Sequence, residues 1–194
     1  MALYVIRHGR TEANAAGLLQ GRLDPPLDDV GRSQAAALVG ALPTLDRLVC
    51  SPLRRARETA SVFGMEPHVD ERWIEVAYGV YEGTPVADVP KDVWQQWIDD
   101  PAFAPEGGES LRSLESRIGR ACAALVEESR DNEIAVVTHA TPVKAAMAWA
   151  LGVDISITWR SFVDQASITR IAVRDRGPAL TAFNITPWST RSGS

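Results

Sequence analysis

The stretch Leu3-Tyr4-Val5-Ile6-Arg7-His8-Gly9 opens as a strand and closes as chemistry. Leu3 to Ile6 is short, apolar, partly β-branched and unalternating, the pattern of a strand covered on both faces in a parallel sheet. The same form recurs twice downstream. Arg47 to Ser51 reads as a buried strand that runs into Pro52-Leu53-Arg54-Arg55, and Ile134 to Val137 as one that runs into Thr138-His139-Ala140. Between them lie helical patterns. Asp28 through Leu42 places Val30, Ala35, Leu38 and Leu42 at helical spacings behind a capping aspartate, Asp28 or Asp29. Pro52 suits a first helical turn and Gly64 a stop. A further helix over Glu109 to Arg130 carries Leu111, Leu114, Ile118, Ala121 and Leu125 on one stripe. Thr141 is placed to cap a last helix with Pro142 at its first position, ending at Gly152. Ser167 to Val173 and Leu180 to Phe183 read as two closing strands joined by a turn at Asp175-Arg176-Gly177-Pro178. Strands alternating with helices predict an α/β fold with a mostly parallel central sheet flanked by helices.

Composition narrows the class. A chain of 194 residues and 21.1 kDa suits one domain, expected over 1–188, with a disordered tail over 189–194. With 20 basic against 25 acidic side chains the net charge is −5, which disfavours nucleic acid as a partner and requires any bound anion to be met by local arginines. Cys50 and Cys122 have no disulfide or metal-ligand spacing and read as core residues of a reducing compartment. Neither a signal peptide nor an apolar run of about 18 residues is visible, so the expected address is the cytoplasm, with no membrane partner. A homodimer is left open. Glu66 to Asp88 is turn-rich, carries Trp73, Tyr78 and Tyr81, and reads as a functional loop ahead of a short helix with Trp94 and Trp97.

Ligands of open α/β sheets bind beyond the carboxyl ends of the strands. Two of the three histidines, His8 and His139, and several arginines leave strands at those ends, whereas His68 has no such company. Histidines with arginines, and with no adjoining cysteine or carboxylate ligands, point to an anion rather than a metal. Arginine's planar paired donors match phosphate oxygens, which gives Arg7 and Arg55 a purpose. A neutral histidine is a competent nucleophile toward phosphorus, so His8 is expected to attack, with Gly9 leaving room for the phosphate, and His139 to donate to the transferring group. Release of an alkyl group also needs a proton donor, and a carboxyl group beside a phosphate dianion holds its proton well. Glu71, Glu75 and Glu82 all lie in the loop, and their spacing does not separate them.

These residues resemble the histidine phosphatases of the phosphoglycerate mutase-like superfamily, over about Leu3 to Gly152. The family's Arg-His-Gly signature with following threonine and asparagine is similar to Arg7-His8-Gly9-Arg10-Thr11-Glu12-Ala13-Asn14. Further likenesses lie at Leu27 to Ala35, at Ser51 to Ala60, at Ile74-Glu75 to Tyr81-Glu82-Gly83, at Gly107-Gly108-Glu109-Ser110 and at His139. The resemblance implies a three-layer sandwich and a phosphomonoesterase that forms a phosphohistidine without metal or cofactor. It selects Glu75 as proton donor and Arg55 as the second phosphate arginine, and it adds Asn14, Gln20 and Gly21 to the phosphate site. Tyr81 stands in place of the usual tryptophan and Ala140 in place of a common glycine, which bears on pocket shape. The implied substrate is a small phosphorylated metabolite. A mutase passing the phosphoryl group between hydroxyls is the alternative, disfavoured because this chain is short where mutases carry an insertion and a tail. A regulatory protein that only binds a phosphorylated ligand is the other. Arg54 and Arg57 read as a solvated helix face. Of the six tryptophans, only Trp73, Trp94 and Trp97 are expected near the substrate loop.

Overall fold

The computed structural model describes residues 1–188, and the expected tail over 189–194 lies outside the described residues. Six strands, β1 (Ala2–Arg7), β2 (Arg47–Cys50), β3 (His68–Val69), β4 (Glu133–Thr138), β5 (Ile168–Arg174) and β6 (Gly177–Ile185), form one sheet in the order β3-β2-β4-β1-β5-β6. The pairs β1/β4, β2/β4 and β2/β3 are parallel, while β1/β5 and β5/β6 are antiparallel. The mostly parallel centre is therefore as expected, with an antiparallel hairpin added on one side. Of the turn expected there, only Asp175 and Arg176 remain outside the strands, because Gly177 and Pro178 already pair with Arg174 and Val173. Pro178 is tolerated because β6 is an edge strand.

Strand β1 shows why alternation is missing. Leu3 and Val5 pack into a cluster with Leu114, Ile118 and Leu125 of α5 (Leu111–Val126) and with α6 (Ala140–Leu151). Tyr4 and Ile6 point the other way, onto Leu38 of α2 (Asp29–Leu38) and Ala56 and Ala60 of α3 (Arg54–Ala60). Both faces of the sheet are thus covered, giving three layers. Short α1 (Glu12–Ala15) follows the Arg-His-Gly stretch, and α4 (Lys91–Asp99) carries Trp94 and Trp97. No described helix is long and apolar enough to cross a membrane. Both cysteines are buried.

Several local expectations shift. Asp28 caps α2 as read, accepting from Gly31 N, but Val30 faces solvent, and Gly31, Gln34, Ala35 and Leu38 form the buried stripe. Helix α6 starts two residues earlier than read. His139, not Thr141, occupies the capping position, which puts Pro142 third in the first turn, where its missing N–H is still harmless. The loop read from Glu66 contains the two-residue strand β3, too short to leave a period.

Candidate active site

Three strand ends make the floor. Arg7 pairs with Thr138 in the β1/β4 ladder, His8 N donates to Thr138 O at 2.9 Å, and Ser51 N donates to Val137 O at 2.9 Å. Ser51, His139 and His8 consequently stand side by side at one edge, and the two imidazole centres are 5.1 Å apart at an interplanar angle of 62°. Arg55, the second residue of α3, reaches into this row and is 1% exposed. Its Nε–H is shared between His8 Nε2 and His139 Nδ1, 3.2 Å from each, while its terminal nitrogens donate to the carbonyls of Gly21 and Leu23. Arg7 likewise donates to a carbonyl, that of Val163. Carbonyls position both guanidiniums without cancelling their charge, which leaves the site net positive.

His8 Nδ1 lies 2.6 Å from Gly9 O. A carbonyl only accepts, so Nδ1 carries the proton and Nε2 is unprotonated, its lone pair accepting the Arg55 Nε–H. His139 Nε2 meets Ser51 Oγ at 2.7 Å. Burial, then the charges of Arg55 and Arg7, hold His8 well below the ordinary imidazole range. His139 is lowered in the same direction, first by burial and then by Arg55, His8 and Arg7. Both rings are neutral at pH 7. Burial also pushes Arg55 down to about 10, which leaves it charged at neutral pH.

Gly9 serves a different purpose from the one read in the sequence. A Cβ there would come within 2.4 Å of Gly31 O, so the missing side chain admits the start of α2 rather than a phosphate. Above the floor, Arg7, His8, Asn14, Gln20, Gly21, Arg55 and Glu75 line one cavity of about 270 Å³, with Tyr78, Ala140, Phe162 and Gln165 at its rim. His139 lies beneath it, fully buried. Thr11 organises one wall: its N–H donates to Asn14 Oδ1, and its hydroxyl is 2.9 Å from Gln20 Oε1. With both amide oxygens held this way, the amide nitrogens are the ends left for an anion. Gly21 has φ +50°, and its carbonyl anchors Arg55.

The three carboxylates differ in position. Glu75 lines the cavity and is 7% exposed, with its oxygens accepting from the N–H groups of Val76 and Thr141. Glu82 turns away to hold Arg22 N and Tyr78 N, and Glu71 is exposed. The segment bearing Glu75 has no regular hydrogen-bonding partner strand, yet its carbonyls are held one after another. Arg117 Nη1 donates to Arg72 O and Ile74 O, both at 2.7 Å, and Nη2 to Glu75 O at 3.3 Å, while the Thr138 hydroxyl takes Trp73 O. Glu109 locks Arg117 by two bonds of 2.8 Å. Sequence reasoning missed Arg117, which stood as one more charge beside an apolar stripe. It also left out Ser51, although Ser51 sits at a strand end, where a signal was available. Arg54 and Arg57 are exposed, as read. Trp73 sits two residues before Glu75 in that loop, with its ring completely buried in the core under α5, while Trp159, not expected near the loop, packs beside Trp94.

The model of the histidine phosphatase superfamily (branch 1) matches residues 3–186. The chain belongs to that superfamily. Phosphoserine phosphatase 1 of Hydrogenobacter thermophilus is 33% identical to this histidine phosphatase over 195 residues, covering 95% of this chain and 92% of the relative. The adenosylcobalamin/alpha-ribazole phosphatase of Escherichia coli is 29% identical over 194 residues, covering 95% and 96%. Among solved structures, a phosphoserine phosphatase mutant from Entamoeba histolytica in complex with phosphoserine superposes with a TM-score of 0.87 at 26% identity, covering 95% of this chain and 97% of that one. The three-layer mixed-sheet architecture of the histidine phosphatase is shared with that solved structure. Among its described residues no group of three or more His, Cys, Asp or Glu is arranged to hold a metal ion.

Proposed function

We propose that this histidine phosphatase hydrolyses a small phosphomonoester through a phosphohistidine at His8, acting as one catalytic domain over 1–188. The observation that carries the reading is the convergence of His8, Arg7, Arg55 and Glu75 on one cavity, with the Arg55 Nε–H shared between His8 Nε2 and His139 Nδ1. A phosphoryl group in that cavity takes the Arg55 Nε–H onto one of its oxygens, which frees the His8 Nε2 lone pair for attack, and has Arg7, Asn14, Gln20 and the Gly21 turn around its other oxygens. The dianion replaces a positive surrounding with a negative one, so His139 regains affinity for a proton and can donate to a phosphoryl oxygen.

In the first step His8 Nε2 attacks phosphorus, the ester P–O bond breaks, and Glu75 gives its proton to the departing oxygen. In the second, water attacks the phosphohistidine, Glu75 takes the water's proton, the N–P bond breaks and inorganic phosphate leaves. No group beyond the chain's own residues is called upon. The names of the relatives, phosphatases acting on small metabolites, support water as the acceptor rather than a second hydroxyl.

The test is phosphate release from p-nitrophenyl phosphate and from a panel of phosphorylated metabolites, with and without a chelator, together with acid quenching to trap a phosphoenzyme. Turnover that survives the chelator, and an acid-labile, alkali-stable label that vanishes in His8→Ala, are the expected results. A label on another residue, or turnover unaffected by His8→Ala, would overturn the assignment.

A further inference from the structure

Residues 162–167, which lead into β5, border the catalytic cavity without taking part in the proposed chemistry. Their backbone is held bond by bond. Val163 O accepts from Arg7, Asp164 exchanges two bonds with the Asn184 side chain of β6, and Gln165 O accepts from Trp188 Nε1 at 2.8 Å. Ala166 N donates to His8 O at 3.0 Å, and Ser167 O accepts from Arg7 N at 3.1 Å. Within this frame Ala166 has φ +48°, a left-handed conformation that costs an alanine energy and persists only where the surroundings over-determine it. Bonded to the backbone of His8 and preceded by Gln165, the strained residue fixes Gln165 relative to the phosphoryl site.

Two residues of this frame, Phe162 and Gln165, line the cavity. Phe162 is 68% exposed, and Val86, which lines the same cavity from another segment, is 45% exposed. Gln165 gives its carbonyl to Trp188, and its side-chain amide is bonded to no other group among the described residues. The lining that the phosphate and the proton donor leave free carries no charge among the described residues. Leu18, Leu19, Val86 and Phe162 are apolar, Tyr78 ends in a phenol, and Gln165 is the one amide. Apolar walls with a single fixed polar group are the ordinary make-up of a site that orients a small ligand, and about 270 Å³ suits a small one.

We propose that Phe162 and Gln165 select the leaving group, Phe162 by covering its carbon frame and the Gln165 amide by bonding a hydroxyl, so that phosphomonoesters of uncharged, hydroxylated alcohols are preferred to those of hydroxy acids. The proposal rests on the phosphatase reading and deepens it. An amide both donates and accepts, and so does a hydroxyl, so the two match without a charge on either. A carboxylate brought against this lining loses its water and meets no free cation, because Arg7 and Arg55 face the phosphate.

The experiment measures phosphate release from glycerol 3-phosphate, from propyl phosphate, which lacks its hydroxyls, and from 3-phosphoglycerate, which carries a carboxylate in place of the terminal hydroxymethyl group. In the wild type, kcat/KM is expected to favour glycerol 3-phosphate over propyl phosphate by roughly 3- to 10-fold, the range of one neutral hydrogen bond, and over 3-phosphoglycerate by about 10-fold or more. Gln165→Leu should bring the first ratio close to one, and Gln165→Lys, which supplies the missing cation, should narrow the second by about 10-fold. Phe162→Ala should lower kcat/KM for the three-carbon substrates by roughly 3- to 10-fold relative to methyl phosphate, which is too short to reach the ring. A first ratio near one in the wild type, a preference for 3-phosphoglycerate, or a first ratio that survives Gln165→Leu overturns the proposal. Should Gln165→Leu fail to fold, an unchanged ratio of propyl to methyl phosphate in Phe162→Ala does the same. Absence of phosphate release from every substrate, p-nitrophenyl phosphate included, would defeat the phosphatase reading itself, an outcome distinct from turnover without preference.

Discussion

The floor of the site and its wall are built on different principles. The floor is three strand ends in register, so the placement of His8, His139 and Ser51 follows from backbone ladders that also hold the core together. The wall, from Glu71 to Glu109, crosses no strand of the sheet. It is held by a satellite aromatic cluster around Trp97, which meets Tyr78, Tyr81, Trp94 and Phe103 at centroid distances of 5.3 to 6.1 Å, and by the Arg117–Glu109 clamp. A floor of this kind is expensive to alter and suits chemistry common to every substrate. A wall held by side chains can be rebuilt without disturbing the sheet, and suits selection among leaving groups.

If that division is right, substitutions in the floor act on all substrates alike and substitutions in the wall act according to the leaving group. His8→Ala should reduce hydrolysis of alkyl and aryl phosphates equally, by roughly 10⁴-fold or more, measured as initial rates of phosphate release. Glu75→Gln should cost about 10²- to 10⁴-fold on an alkyl phosphate but under about 10-fold on p-nitrophenyl phosphate, whose phenolate leaves with little proton help. Equal losses on the two substrates would remove Glu75 from the proton-donor role. Arg117→Ala, which touches no part of the cavity, should show the same leaving-group signature at a reduced scale of about 10-fold, because it loosens the carbonyls that aim Glu75. A uniform loss would reduce Arg117 to a stability role.

The smallest expected effect is on stability. His8 and His139 are neutral when folded, with proton affinities pushed below the ordinary value of 6.5, so as pH falls through that value the unfolded chain takes up protons first. Stability is therefore complete above about pH 6.5 and lost below it, with a slope of up to about 1.4 kcal/mol per pH unit for each ring. Thermal melting between pH 8 and 5 should show Tm falling by up to roughly 3–6 °C per pH unit per histidine, and His8→Ala should flatten the curve. An unchanged slope would mean that the floor is wetter than its geometry implies.

The parts legible in the sequence follow the same division. Leu3 to Ile6 and Ile134 to Val137 were readable because a strand covered on both faces leaves an unbroken apolar run, and His8 and His139 were readable because they end those runs. Val30 misled because helical spacing fixes a period but not which of two overlapping stripes meets the sheet. Trp159 was missed because it lies far from the loop in the chain and only folding sets it against Trp94. Arg117 left no local trace, since the carbonyls it holds are distant in the chain.

By itself, the sequence determined the alternation of strands and helices, the three strand-end clusters and hence the residues of the cavity floor, because backbone periodicity and strand termini are local properties. Only the tertiary structure decided that Glu75 rather than Glu71 or Glu82 faces the cavity, and that Arg55 bridges both histidines. Each of these depends on which side chains a folded backbone brings within about 3 to 4 Å, and hydrogen bonding, desolvation and charge pairing act at that range.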